Sequence, residues 1–184
     1  MLTLVWNYLK NPVYEEDENT DIHYRIGIVF KYVLYSLVIS LLFLALSASL
    51  ETLFNLEIGK HASEDFMNMS PWLIISSVVI LAPVFEELIF RGPMSLFKES
   101  PFFKFSFYVL TIAFGYIHIF NFEMNVATIL LSPLLVMPQI NLGIFAGYIR
   151  VRFGLLWSIL LHAMYNLFLT GPILVLKFLD IPLE

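Results

Sequence analysis

Four stretches of this chain run without one Asp, Glu, Lys or Arg for about the thickness of a lipid bilayer. They are Tyr32–Leu50 (19 residues), Phe105–Phe122 (18), Asn125–Ile149 (25) and Phe153–Leu176 (24). A fifth apolar run, Pro71–Phe85, ends abruptly on Glu86-Glu87. About 20 continuous apolar residues are what a transmembrane helix needs, and a bilayer leaves a spanning backbone few other ways to satisfy its own polar groups. The expected fold is therefore all-α: a polytopic membrane helix bundle of about five or six spans. Pro83, Pro133 and Pro138 lie inside apolar runs and should kink or break their helices.

Composition agrees. Only 14% of the 184 residues are charged, against about 25% in soluble domains, and 59% are hydrophobic. The length suits one domain with little outside the lipid bilayer. We divide it into an N-terminal polar or interfacial segment (1–27), a membrane-embedded domain (28–179) and a short tail (180–184). With no cysteine, disulfides and thiolate metal sites are excluded. The net charge is −5 and there is no basic run, so no nucleic-acid partner is expected. Met1–Lys10 lacks the basic start of a signal peptide; a short amphipathic surface segment or a loosely ordered terminus fits it equally well.

Between the apolar runs lie the loops. Asn11–Asp21 is acidic and is given no chemistry, and His23 reads as an interfacial residue. Glu51–Ser70 is polar; its His61, with Glu57 and Glu64 nearby, is more simply a solvated charged face than a metal site. Asn125–Ile149 is either one broken span or two half-spans. Arg150 and Arg152 read as a loop, and Gly171-Pro172 as a break near the end of the last span. Lys and Arg cluster in alternate connections: Lys10, Arg25 and Lys31, then Lys98 and Lys104, then Arg150 and Arg152. This bias expects a cytoplasmic N-terminus in the inner membrane.

The feature that needs explaining is Glu86-Glu87-Leu-Ile-Phe-Arg91. An ionised group at mid-bilayer costs roughly 2.5–3.5 kcal/mol on insertion scales, so three of them require mutual pairing or a function. Glu87 and Arg91, four apart, share a helix face and read as an ion pair. Glu86 points about 100° away, and a second carboxylate beside the first cannot easily share its partner. Such a group is suited to accepting a proton. Counted back from the basic loops at about 1.5 Å per residue, Glu86 lies roughly 18 Å deep, His118 roughly 21 Å and His162 roughly 15 Å. Three ionisable positions on three spans thus fall at similar depth. Taken singly, His118 is a hydrogen-bonded core histidine, and His162 with Asn166 an interhelical polar contact. Taken together, Glu86 and His118 can hold and deprotonate a water, while His162 and the Asn166 amide donate to a developing oxyanion. A divalent metal such as zinc on Glu86, His118 and His162 is the alternative chemistry.

Glu-Glu-x-x-x-Arg (Glu86, Glu87, Arg91), Phe-x-x-x-His (Phe114, His118) and His-x-x-x-Asn (His162, Asn166) occur in that order on hydrophobic spans. The set resembles the three motifs of the CAAX protease and bacteriocin-processing (Abi) family, intramembrane proteases related to the type II CAAX prenyl endopeptidase. The resemblance covers about Pro71 to Phe168. It implies that Glu86 and His118 activate the water, that His162 and Asn166 form the oxyanion site, and that Glu87, Arg91 and Phe114 support the cavity. No metal is favoured. The expected partners are a peptide or membrane-protein substrate, with a homodimer as a way to complete the cavity. The alternative function is a non-catalytic membrane protein of the same fold, in bacteriocin immunity or as a scaffold.

Overall fold

The structure is a computed structural model that describes residues 1–181. Among the described residues, five helices are long and apolar enough to cross a membrane, and the backbone pairs strand-like at one isolated bridge only. The expected tail, 180–184, lies outside the described residues from position 182 onward. Helix α1 (Leu2–Lys10) precedes the spans. They are α2 (Ile22–Phe54), α3 (Pro71–Phe97), α4 (Phe103–Asn121), α5 (Val126–Phe153) and α6 (Leu155–Phe178).

Helix α2 begins well before the uncharged run that announces it. Asp21 caps it by accepting the Tyr24 N–H at 2.7 Å, and the helix runs for 33 residues to a left-handed Asn55. At about 1.5 Å per residue that is roughly 50 Å, longer than the hydrocarbon layer. Its polar first turns can therefore stand outside the lipid.

Helix α3 is irregular where the sequence predicts a kink. Ser70 caps it and Pro71 occupies its first turn, where a missing N–H costs nothing. Residues Ile75–Leu81 then widen into a π-helix, with the Ala82 N–H bonded five residues back to Ser77 O. In that register the next donor would be Pro83, which has no N–H. The freed carbonyl is Val78's. The chain returns to α-helix for Ala82–Phe90 and tightens to 3₁₀ over Gly92–Phe97.

Three expectations about the later spans are settled. Residues 125–149 form one broken span: Val126–Leu135 and Met137–Phe153 meet at Val136, with Pro138 in the first turn of the second piece. Arg150 and Arg152 do not form a loop. They lie in the last turn of α5, which stops at Gly154, where φ of +101° suits a residue without Cβ. Gly171-Pro172 does not break α6, which continues to Phe178. One lost hydrogen bond near the end of a 24-residue helix bends it without ending it.

Helix α5 is the centre of the bundle, with α2, α4 and α6 around it. Gly143 and Gly147 form a small-xxx-small ridge that lets α4 approach closely. A Cβ on Gly147 would stand 2.8 Å from the Phe107 ring, and one on Gly143 3.1 Å from that of Phe114. Buried polar pins join α5 to α2: Asn141 Nδ2 donates to Ser36 O at 2.9 Å and to Ser40 Oγ at 3.0 Å.

The N-terminal segment is tied to the same bundle. Tyr8 of α1 packs edge-on against Phe107 and Tyr148, and the Tyr108 hydroxyl donates to Leu9 O. Beyond α1 the acidic segment straps across the basic end. Arg152 donates to Asp17 at 3.0 Å and faces Glu15 at 3.6 Å, while Lys98 faces Glu16 at 3.6 Å.

Candidate active site

The motif residues come from α3, α4 and α6, and the first thing that separates them is burial. Glu87 and Arg91 are fully buried, as their shared helix face predicts. Glu86, one residue away, keeps 27% of its side chain exposed, although its Oε2 is buried and without a hydrogen-bond partner. The adjacent glutamates thus have different environments: one inside a polar core, one on its open side.

Glu87 holds two cations or donors at once. Arg91 NH1 lies 3.3 Å from its Oε1, an ion pair whose alignment falls short of a hydrogen bond. His162 Nδ1 lies 3.0 Å from the same oxygen. The carboxylate is an acceptor, so Nδ1 carries the proton in this contact. The Arg91 guanidinium also covers the Phe114 ring face, 3.9 Å from its centroid. Desolvated contacts of that type are worth up to about 2 kcal/mol. Gly143 makes room for it, since a Cβ there would stand 3.0 Å from Arg91 NH2. Arg150 donates Nε–H to the Arg91 carbonyl at 3.1 Å and so holds the end of that helical turn.

Phe114 is the hub of the site. Besides Arg91, its ring meets those of His118 at 5.0 Å and His162 at 5.6 Å, both edge-on. Its carbonyl accepts a hydrogen bond from His118 Nδ1 at 2.7 Å. A carbonyl accepts only, so His118 Nε2 is left with the lone pair when the ring is neutral. His118 stands where α4 passes from α-helix to 3₁₀, and this tighter turn starts at its own backbone.

Both imidazoles turn Nε2 toward one oxygen. Glu86 Oε2 is 3.5 Å from His118 Nε2 and 3.8 Å from His162 Nε2. Both separations are long for direct hydrogen bonds, and a water bonded to two of these atoms would sit beside the line that joins them. With each Nδ1 committed elsewhere, the trio has the donor types of a zinc site with oriented ligands. Among the described residues no group of three or more His, Cys, Asp or Glu side chains is gathered so as to hold a metal ion as it stands.

Asn166 lies one turn along α6 from His162. Its Nδ2 donates to Val78 O at 2.9 Å, the carbonyl freed by Pro83. The kink and the motif asparagine are thus two halves of one contact. The second Nδ2 hydrogen and Oδ1 remain.

Among the described residues, His61 belongs to no group of three candidate metal ligands. Its Nδ1 accepts the Ser63 N–H at 3.0 Å, and its ring packs edge-on against Phe122 at 4.6 Å. Burial and the nearby His118 together push its imidazole below the usual range, while Glu64 pulls the other way. Sequence reasoning did not single out Val78, Gly143 or Arg150. Gly143 and Gly147 carry the one signal available beforehand, the four-residue spacing of glycines on an apolar helix.

Comparison with known proteins follows the same residues. The family described as type II CAAX prenyl endopeptidase Rce1-like matches residues 68–168, more than half of the chain. No curated protein and no solved structure matches it. The matched region opens just before α3 and closes within α6, so it contains every residue of the site and excludes α1, α2 and most of the loop that follows.

Proposed function

Because the chain belongs to the type II CAAX prenyl endopeptidase Rce1-like family, a family of intramembrane proteases, we propose that it hydrolyses a peptide bond with water held between Glu86 and His118. The observation that carries this is the convergence of His118 Nε2 and His162 Nε2 on Glu86 Oε2 at 3.5 and 3.8 Å, a buried oxygen with no hydrogen-bond partner on a side chain that is 27% exposed. The water gives one proton to the Glu86 carboxylate, with His118 Nε2 accepting from it to orient its lone pair. Its oxygen attacks the scissile carbonyl carbon. The oxyanion that forms is met by His162 Nε2–H of the doubly protonated ring, whose Nδ1–H stays on Glu87, and by the free N–H of Asn166. Glu86 then delivers its proton to the departing nitrogen as the C–N bond breaks. One water is consumed, and an acid and an amine leave.

Glu87, Arg91 and Phe114 work at one remove: they fix the two rings without touching the water. Glu86, His118 and His162 are also the residues that would hold a divalent cation, which when bound would polarise the water. The proton transfers above are assigned to side chains alone.

We take the substrate to be a peptide or a membrane-inserted protein, and the N-terminus to face the cytoplasm. The latter is supported by the gathering of Lys98, Lys104 and Arg152 with α1 and its strap at one end. A reporter fused after Asp65 should then be extracytoplasmic.

The test is Glu86→Gln, which keeps shape and removes the proton acceptor. Membrane peptides from cells carrying the wild-type protein should include cleavage products absent from cells carrying the variant, at equal protein levels. Full activity in Glu86→Gln ends the proposal and favours a non-catalytic binding role on the same fold.

A further inference from the structure

We infer that Gly59, in the loop between α2 and α3, is a positioning residue for His118, because it lets that loop clasp the turn that follows the histidine. The inference rests on the proposed role of His118. Three hydrogen bonds and one ring contact make the clasp. Lys60 O accepts the Glu123 N–H at 2.9 Å. Gly59 N–H donates to Thr128 Oγ1 at 3.0 Å, and Asn125 Nδ2 donates to Glu57 O at 2.8 Å. His61 and Phe122 form the antiparallel bridge, with their rings in contact.

The clasp acts on a short lever. His118 lies four residues before Phe122, and the 3₁₀ turn His118–Asn121 joins them, closed by the Phe122 N–H on Ile119 O at 3.1 Å. On its N-terminal side the imidazole is tied to Phe114 O. On its C-terminal side the chain is held by the clasp, and Ile58 packs with Ile119 in the apolar cluster beside it.

Gly59 is where this depends on one residue. A Cβ there would stand 1.9 Å from Glu123 O and 2.7 Å from Glu123 C, both backbone atoms that no rotamer change can move. Its φ is outside the left-handed region, so the constraint is space rather than conformation. Any side chain separates the two segments and releases the turn carrying His118. The clasp's outer strand lies before the matched family region, so it is a device of this chain's own loop acting on a motif residue.

The experiment uses the full chain. Assayed on a membrane peptide whose cleavage is lost in Glu86→Gln, Gly59→Ala should lower kcat about tenfold or more, as an ångström-scale misplacement of a catalytic group does, with KM unchanged. It should also shift the ¹⁵N resonances of the His118 imidazole. Thr128→Val removes the tie to Gly59, and with it the bond that Thr128 Oγ1 donates to Glu123 O at 3.2 Å, without a clash; it should shift them the same way with a loss of roughly threefold. It decides the matter if Gly59→Ala fails to fold. Gly27→Ala, where a Cβ meets nothing within 4 Å, should leave kcat and the resonances as they are. Wild-type kcat in Gly59→Ala overturns the inference, as does a fall in kcat with an unmoved His118 signal. If the wild-type protein proves to have no proteolytic activity, the proposed function fails alone: a shifted signal in Gly59→Ala still supports the clasp, and an unshifted one rejects it.

Discussion

Two clusters of opposite charges hold this molecule, and they work under different physics. Arg91, Glu87 and His162 meet with no exposed surface on the first two residues and 2% on the third. Arg152, Glu15 and Asp17 meet at the strap, where their side chains are 25%, 73% and 16% exposed. Similar distances, 3.3 Å for Arg91–Glu87 and 3.0 Å for Arg152–Asp17, therefore do not mean similar energies. Water and salt screen the second cluster. The first has no solvent to turn to when a partner is lost. The buried cluster fixes the orientation of the His162 and Phe114 rings beside Glu86; the strap trims the fit of a surface segment.

Arg91→Met tests the contrast most severely. It leaves Glu87 buried with His162 as its one remaining partner among these and should cost about 3–5 kcal/mol, seen as a large fall in the thermal unfolding temperature in detergent. A fall no larger than that of Arg152→Ala would break the comparison. Gly143→Ala comes next. It keeps every charge but pushes a methyl to 3.0 Å from the guanidinium and 3.1 Å from Phe114. Overpacking of that kind costs about 1–3 kcal/mol, and thermal unfolding of the variant measures it. Arg152→Ala should cost about 0–1 kcal/mol, and raised salt should reproduce its effect in the wild-type protein while leaving Arg91→Met as severe as before. Acid should act most weakly. Burial pushes the Asp17 carboxyl up, but the Asn19 N–H and Arg152 outweigh it and hold it below its usual range. A carboxyl depressed by folding stabilises above its unfolded pKa and ceases to do so as pH falls through its folded one. A small loss of stability should thus appear on acidification through and below the usual carboxylate range. In Asp17→Asn that step should be absent.

The same contrast explains what could be read from the residues alone. Spans were legible because lipid demands uncharged length, and Tyr32–Leu50 needed no partner to identify it. Glu87–Arg91 was legible because helical spacing puts the two on one face. Arg150 was misread as a loop residue because nothing local shows that the Arg91 carbonyl and the Tyr14 hydroxyl, 3.1 Å away, await it inside the last turn of α5. Pro172 was misread as a stop because its cost depends on neighbours the chain does not name. The contact from Asn166 to Val78 was half visible: a proline inside a helix frees a carbonyl, but which carbonyl Pro83 frees depends on the π register. Fold class follows from local rules, whereas the partners of each polar atom follow from packing.

The wide turn at Ile75–Leu81 has one last consequence, for length. A π-helix stores about one residue more than an α-helix over the same rise. Deleting one residue there would let the segment relax to ordinary α-helix with both glutamates still aimed as before. An equal deletion between Glu87 and Arg91 would turn the arginine roughly 100° away from its carboxylate. The protein therefore carries slack on one side of its glutamates and none on the other, and related chains that differ by a residue in this helix should differ on the slack side.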